Sequence, residues 1–322
     1  MNHEVSAVAF RMGILFLVLC AGWIARRRVW LGETATRLLG RLCVDVCFPC
    51  LTFIQMLQIV GRSPATEQGY MLLLGVILMG VALMGGLLFV RDLPPEPRRT
   101  AWLASAMPNW LFFPLPIAAL LYGEEGLATV LLVNVTAQFY LWTTSVGILR
   151  GFKNTMRTGL VHLLNPGLVA SVAGVLVAAL WPPSHDWIGQ TNLYGHFWRL
   201  VEAIGSLTIP LSMLVTGAQL GAIPSGWRIH TVTRRATRAR LLWLPLITTL
   251  VLWMCSHWIE LPAVVWQTSV MIAAMPVAVS CGVLVERYGG DRDLVSQMTL
   301  VTTLFAVITV PAQMLLGHWL FR

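Results

Sequence analysis

Charged residues are scarce in this sequence. Asp, Glu, Lys and Arg make up 11% of its 322 residues, whereas soluble chains carry roughly 25% charged residues. Hydrophobic residues account for 57% of the chain. This composition excludes an ordinary soluble domain, which needs a charged surface, and it predicts an integral membrane protein surrounded by a lipid bilayer.

Apolar runs close to twenty residues long recur along the whole chain. A helix of that length crosses a hydrocarbon core of about 30 Å, so we number these runs as spans one to ten. The sequence therefore predicts an all-α integral membrane protein with ten transmembrane helices. The spans cover approximately residues 5–25, 41–60, 70–90, 101–121, 127–149, 160–181, 201–221, 240–258, 262–285 and 294–318.

Basic residues are distributed unevenly over the loops between these spans. If the first span runs from outside to inside, 18 of the 22 Lys and Arg residues fall on the inner side. Basic loops stay in the cytoplasm, so both termini are expected outside. The net charge of +8 is then explained by the basic inner loops and their contact with anionic lipids. Nucleic acid is not expected as a partner. The inner residues are Arg26, Arg27, Arg28, Arg37, Arg41, Arg91, Arg98, Arg99, Arg150, Lys153, Arg157, Arg228, Arg234, Arg235, Arg238, Arg240, Arg287 and Arg292.

The sequence gives little support for catalysis, redox chemistry or metal binding. The sequence has no His-Glu-x-x-His and no Gly-x-Ser-x-Gly motif, and Asp45 is the only carboxylate clearly inside a span. Cys47 and Cys50 have Cys-x-x-Cys spacing, but they flank Pro49 inside an apolar helix, where small packing residues are the better interpretation. We therefore expect no enzyme activity, no metal and no cofactor.

The fourth span contains several helix-breaking residues. In "AMPNWLFFPLPIAALLYG", residues 106–123, Pro108, Pro114 and Pro116 each lack a backbone donor, and Asn109 places an amide among apolar neighbours. Hydrocarbon offers no water to satisfy the freed carbonyls. We expect a broken helix that is surrounded by protein or lines a water-filled cavity.

A weak internal repeat relates the two halves of the chain. Ala106-Met107-Pro108 recurs 168 residues later as Ala274-Met275-Pro276. Two further matches have similar offsets: Tyr122-Gly123 with Tyr288-Gly289, and Pro49 with Pro210. Together they align spans one to five, residues 1–157, with spans six to ten, residues 158–322. Because five is odd, the second half enters the membrane from the opposite side, as in the inverted repeats of secondary transporters.

Spans four and nine are the corresponding broken helices, and we expect a binding site where they cross. Half-helix N-termini direct positive dipole ends and N–H groups to one point, so a carboxylate can be held there without a buried cation. The candidate residues in these two spans are Pro108, Asn109, Pro114, Pro116, Pro276, Ser280, Cys281 and Gly282.

Polar residues in three other spans are further candidates. Asn134 and Gln138 lie one turn apart in span five, which should flank the crossing. Thr208 and Ser212 in span seven either support the site or only join helices. Asp45 either has a coupling or support role, as intramembrane acids often do, or forms a local ion pair with Arg41.

Four stretches of the chain resemble the auxin efflux carrier family, the bacterial relatives of the plant PIN carriers. They are "VDVCFPCLTF", "MPNWLFFPLPIAALLYGEEG", "IPLSMLVTGAQLG" and "MPVAVSCGVLVERYGGDRDLVSQMTLVTTLFAVITVP". Plant members have an Asn followed seven residues later by Pro in the fourth span, and Asn109 and Pro116 reproduce that spacing. Span nine departs from the pattern because Pro276 has no second proline after it.

The resemblance implies two inverted five-helix repeats with interleaved scaffold and transport parts. It implies transport of a small organic anion, such as a carboxylate, by alternating access. We expect the protein in the bacterial cytoplasmic (inner) membrane, with the periplasmic termini that the basic loops predict. The alternative is a sodium- or proton-coupled symporter or antiporter of the related bile-acid-symporter-like fold. Coupling to H⁺ or Na⁺ and assembly as a homodimer stay open, as do the substrate and the direction of transport.

The topology predicts which loops an impermeant thiol reagent reaches. In intact cells, Asp186→Cys should react and Lys153→Cys should be protected, because the basic loop around residue 153 is expected inside. Reaction at 153 with protection at 186 would show that the orientation is wrong.

Overall fold

The computed structural model describes residues 17–62, 64–150, 166–181, 193–222 and 231–322. The beginnings of spans one and six, and the loop positions Lys153, Asp186 and Arg228, lie outside the described residues. The described part is helical and contains no strand, apart from one isolated antiparallel bridge between Pro108 and Val277.

The helices are numbered α1 to α13 in chain order. Helix α1 covers residues 17–27. The others are α2 (Glu33–Leu42, a π-helical turn at Cys43–Cys47, and Phe48–Arg62), α3 (Ala65–Val90), α4 (Pro95–Ala106), α5 (Pro114–Leu121), α6 (Gly123–Tyr140, a π-helical turn at Leu141–Ser145, and Val146–Arg150), α7 (Pro166–Leu180), α8 (Leu193–Ser206), α9 (Thr208–Gly221), α10 (Thr231–Arg238, a π-helical turn at Ala239–Trp243, and Leu244–Cys255), α11 (Ala263–Ala273), α12 (Ser280–Tyr288) and α13 (Arg292–Leu320).

Six helical segments of the described chain are long and apolar enough to cross a membrane. The helices α7 and α11 are apolar but shorter. The prediction of helices that could span a membrane is confirmed for the described residues, while the count of ten spans stays a prediction. The six segments are Glu33–Ile59, Ala65–Val90, Gly123–Arg150, Gly195–Gly221, Thr231–Cys255 and Arg292–Leu320.

Both helices that the sequence analysis expects to be broken are interrupted in the structure. Helix α4 ends at Ala106 and α5 begins at Pro114, while α11 ends at Ala273 and α12 begins at Ser280. Pro114 can begin α5 because the first N–H of a helix has no partner within the helix anyway. Each predicted span therefore consists of two short helices joined by non-helical backbone.

Prolines inside two longer helices have a milder effect. Pro49 and Pro245 each lie two residues after a π-helical turn, in α2 and α10 respectively. A proline removes one backbone hydrogen bond from a helix, and a wider π-helical turn is a common way to accommodate a local disruption. These two helices continue through their prolines, unlike the interrupted spans.

The chain forms two compact units, and each takes segments from both halves of the sequence. Within the described residues, unit A takes its helices from Tyr70–Val161 and Ile223–Arg322, and it contains both interruptions. Unit B consists of Met12–Gly69 and His162–Ala222.

Unit B is held together partly by close backbone contact between α1 and α9. A Cβ added at Gly22 would lie 2.1 Å from the carbonyl oxygen of Leu214, and one at Gly217 would lie 1.9 Å from that of Leu19. Only glycine fits at these positions, and small residues of this kind let membrane helices approach closely.

Replacing one of these glycines should destabilise the protein. We expect Gly217→Ala to lower the free energy of unfolding by about 1–3 kcal/mol, because the new methyl group meets fixed backbone. Gly69→Ala is the matched control, since a Cβ at this exposed helical position meets nothing within 4 Å. Thermal unfolding in detergent measures both, and equal melting temperatures would contradict the close packing.

Candidate functional site

The two helix interruptions of unit A meet through their backbones. The N–H of Asn109 donates to the carbonyl of Pro276 at 2.7 Å, and the N–H of Ala278 donates to the carbonyl of Met107 at 3.0 Å. Pro108 and Val277 lie between these hydrogen bonds as an antiparallel bridge. We call this pairing of residues 107–109 with 276–278 the crossing. It brings together the two copies of the Ala-Met-Pro repeat.

A third element supports the crossing from α13. The N–H of Val277 donates to the hydroxyl oxygen of Thr302 at 3.1 Å, and that hydroxyl donates to the carbonyl of Met298 at 2.7 Å. Thr302 and Val277 are both buried. An unpaired backbone N–H in such a place costs about as much as a lost hydrogen bond, so Thr302 supplies the acceptor that the Val277 N–H needs.

Asn109 is anchored by its backbone and not by its side chain. It is 6% exposed, and no hydrogen bond to its side-chain amide is found among the described residues. A neutral amide offers two donors and one acceptor oxygen. The predicted binding residue is therefore held at the crossing with its amide groups available.

Asn134 and Gln138 of α6 lie beside the first interruption, as expected for a helix that flanks it. The carbonyl oxygen of the Asn134 side chain accepts hydrogen bonds from the indole N–H of Trp110 at 3.2 Å and from the Gln138 amide at 3.4 Å. Trp110 directly follows Asn109. Nothing in the sequence distinguishes this tryptophan from the other aromatic residues of an apolar span.

The starts of α5 and α12 offer fewer hydrogen-bond donors than the sequence analysis expects. Pro114 and Pro116 have no N–H, and the N–H of Leu115 donates to the carbonyl of Leu111. In the first turn of α12, the N–H groups of Cys281 and Gly282 donate to residues 278 and 279. The positive end of each helix dipole remains, but these N–H groups are already engaged.

The four coupling or support candidates lie in unit B, whereas the crossing lies in unit A. The carbonyl of Thr208 accepts a hydrogen bond from the thiol of Cys43 at 3.8 Å, and the hydroxyl of Ser212 donates within α9. Asp45 lies in the π-helical turn of α2 and is exposed, as is Arg41. No ion pair joins these two residues in the described structure, so the alternative of a local ion pair between Arg41 and Asp45 is not observed.

Arg240 does not lie where the sequence predicts. The sequence places it among the basic residues of an inner loop, but in the structure it lies within α10 and is 1% exposed. Its guanidinium donates to the carbonyl of Ser105 at 3.1 Å and to the carbonyl of Ala273. The sequence indication of its burial is its position at the edge of the apolar run 240–258. The arginines of the neighbouring loop make this indication hard to recognise.

At the surface of unit A, Arg235 of α10 donates to the carboxylate of Asp92 at 2.7 Å. This hydrogen bond is the main reason why the pKa of Asp92 lies below its ordinary value. Both side chains are exposed, so the pair contributes little to stability. No set of three metal-binding side chains occurs within the described ranges.

The chain matches known membrane transport proteins over nearly its whole length. The sequence profile of a family described as "Membrane transport protein" matches residues 8–158 and 154–314. A protein named as an uncharacterized transporter from Methanothermobacter thermautotrophicus is 25% identical over 314 residues, which cover 93% of this chain and 95% of that protein.

The support from α13 can be tested by removing a single hydroxyl. Thr302→Val should lower the free energy of unfolding by about 1–3 kcal/mol, because the buried N–H of Val277 loses its acceptor. Thr303→Val is the matched control, since the Thr303 hydroxyl only donates within its own helix. Thermal unfolding of both variants gives the comparison, and equal losses would mean that Val277 does not depend on Thr302.

Proposed function

We propose that this chain, which belongs to the auxin efflux carrier family of membrane transport proteins, is a secondary transporter that carries a small organic anion by alternating access. The profile match confirms the resemblance that the sequence motifs carry. The anion and its carboxylate group are our inference from the crossing.

The single observation that carries the proposal is the crossing with the amide of Asn109 beside it. Two non-helical segments pair in the interior of unit A, where helical backbone would be the default. Irregular backbone of this kind is typical of transporter binding sites. A neutral amide suits a transporter, because it binds a carboxylate specifically without the desolvation cost of a second buried charge.

The inverted repeat explains why both interruptions lie in one unit. The offset of 168 residues relates Ala106 to Ala274, and the family profile matches each half of the chain separately. We propose that residues 1–157 and 158–322 are the two five-helix repeats. Unit A, which contains the crossing, is then the transport part, and unit B is the scaffold part.

The proposed location is a bacterial cytoplasmic membrane with both termini in the periplasm. The support is the concentration of basic residues in alternate loops. For ion coupling, we propose Asp45 as the candidate, since it is an exposed carboxylate in the π-helical turn of an apolar helix.

The proposed role of Asn109 predicts a loss of binding without a loss of folding. Asn109→Ala keeps the backbone hydrogen bond to Pro276, so melting behaviour should stay near that of the wild type. Losing an amide donor to a charged group costs about 1.5–3 kcal/mol, which is a roughly 10- to 150-fold loss of affinity. Asn109→Asp should be worse, because its carboxylate would face the anion.

A thermal-shift screen of malonate, malate and other small carboxylates identifies the ligand for this measurement. Uptake of the radiolabelled compound into proteoliposomes tests transport itself. Gln138→Ala is the matched amide control and Asp45→Asn the charge control, and both should affect binding less. Unchanged affinity in a folded Asn109→Ala protein would move the binding site away from the crossing.

A further inference from the structure

Arg240 brings a full positive charge into the interior of unit A. It is 1% exposed, and no carboxylate in the described residues forms an ion pair with it. Its Nε–H group is buried without an acceptor. A buried arginine without an acidic partner is costly, and inside membrane proteins it usually marks a functional site.

The two groups that Arg240 does bind are the carbonyl ends of interrupted helices. Ser105 belongs to the last turn of α4, and Ala273 is the last residue of α11. These two residues are 168 positions apart, the same offset that relates Ala106 to Ala274. One planar guanidinium therefore joins equivalent backbone positions of the two halves. The guanidinium of arginine can reach two carbonyls because its N–H donors point in different directions, whereas the compact ammonium of lysine is less suited to this.

This contact changes the electrostatic balance at the crossing. The carbonyl end of a helix carries roughly −0.5 charge and the amide end roughly +0.5. Helices α4 and α11 end one and three residues before the paired segments, and α5 and α12 begin five and two residues after them. The charges of these four helix ends alone nearly cancel. The positive charge of Arg240 offsets the partial negative charges of the two carbonyl ends. The partial positive charges of the two amide ends then remain, and the potential at the crossing is positive overall.

We propose that Arg240 sets the charge selectivity of the crossing: by neutralising the carbonyl ends of α4 and α11, it makes the crossing attract anions and exclude cations. Arg240 is a positioning residue in this role, while Asn109 contacts the substrate. The inference rests on the proposed anion transport and deepens it. It also replaces the sequence-based expectation that helix ends alone suffice without a buried cation.

The potential at the crossing can be measured without knowing the substrate. Gly282 lies in the first turn of α12, and a Cβ added there would meet nothing within 4 Å, so Gly282→Cys places a thiol in open space. Gly69→Cys is the matched control, because this exposed glycine of α3 also has nothing within 4 Å of an added Cβ. Both are made in a protein whose six native cysteines are replaced by alanine.

Two methanethiosulfonate reagents, one with a sulfonate and one with a trimethylammonium group, are compared by their rates of reaction. The ratio of anionic to cationic rate should be higher at Gly282→Cys than at Gly69→Cys. Arg240→Gln should lower the ratio at position 282 by about tenfold or more, as expected for removing one charge in a low-dielectric interior. Arg240→Lys, which keeps the charge, should stay within about threefold of the unaltered protein.

A purely structural role of Arg240 would change both rates together and leave their ratio unchanged. The rate ratios at positions 282 and 69 can be compared with Arg240 intact, so this part of the test does not require an Arg240 variant that folds. An equal or lower ratio at 282 overturns the proposal. Reaction with neither reagent at 282 also overturns it, because an anion site has to be reachable.

Uptake of carboxylates into proteoliposomes keeps this test separate from the proposed function. An anion-selective ratio that depends on Arg240, without uptake of any carboxylate, contradicts the proposed substrate class and supports the role of Arg240. Uptake of a carboxylate, together with a rate ratio that does not depend on Arg240, supports the proposed substrate class and contradicts the role of Arg240.

Discussion

Backbone polar groups in the interior of a membrane protein have to find partners within the protein, and this constraint is hardest to meet where a helix is interrupted. The structure meets it by letting each interruption satisfy the other, through the hydrogen bonds from Asn109 to Pro276 and from Ala278 to Met107. Thr302 accepts from Val277, the remaining N–H of the bridge. The positions of Pro108, Asn109 and Pro276 follow from this pairing.

The same constraint explains why a charge lies so deep in unit A. Ending α4 and α11 in the interior leaves carbonyl groups without helical partners. Arg240 satisfies two of these carbonyls and brings a positive charge with it. The residue that binds the ends of both interrupted helices is therefore also the one that we propose to set charge selectivity, so the packing and the proposed selectivity of the crossing have one physical origin.

The prolines of this chain illustrate how one residue type has different structural effects. Pro49 and Pro245 follow π-helical turns in helices that continue, whereas Pro114 begins a new helix. Pro108 lies in the backbone bridge, and Pro276 supplies a carbonyl acceptor beside it. Only the last two take part in the crossing, and their neighbours in space, rather than their neighbours in sequence, determine that role.

Local patterns in the sequence were sufficient to predict the helical membrane class, both helix interruptions and the family. Hydrophobic run length and the missing N–H of proline act within a few residues, so they can be recognised without a fold. The likeness of Ala106-Met107-Pro108 to Ala274-Met275-Pro276 also identified which two interruptions correspond.

The tertiary structure alone decided the burial and the carbonyl contacts of Arg240, the contact of Trp110 with Asn134, and the absence of an ion pair between Arg41 and Asp45. Arg240 reaches carbonyls that are 135 and 33 residues away along the chain. A long side chain that joins separate helices leaves no periodic pattern in the sequence. For this reason a buried arginine next to a basic loop looks like part of that loop until the helices are packed together.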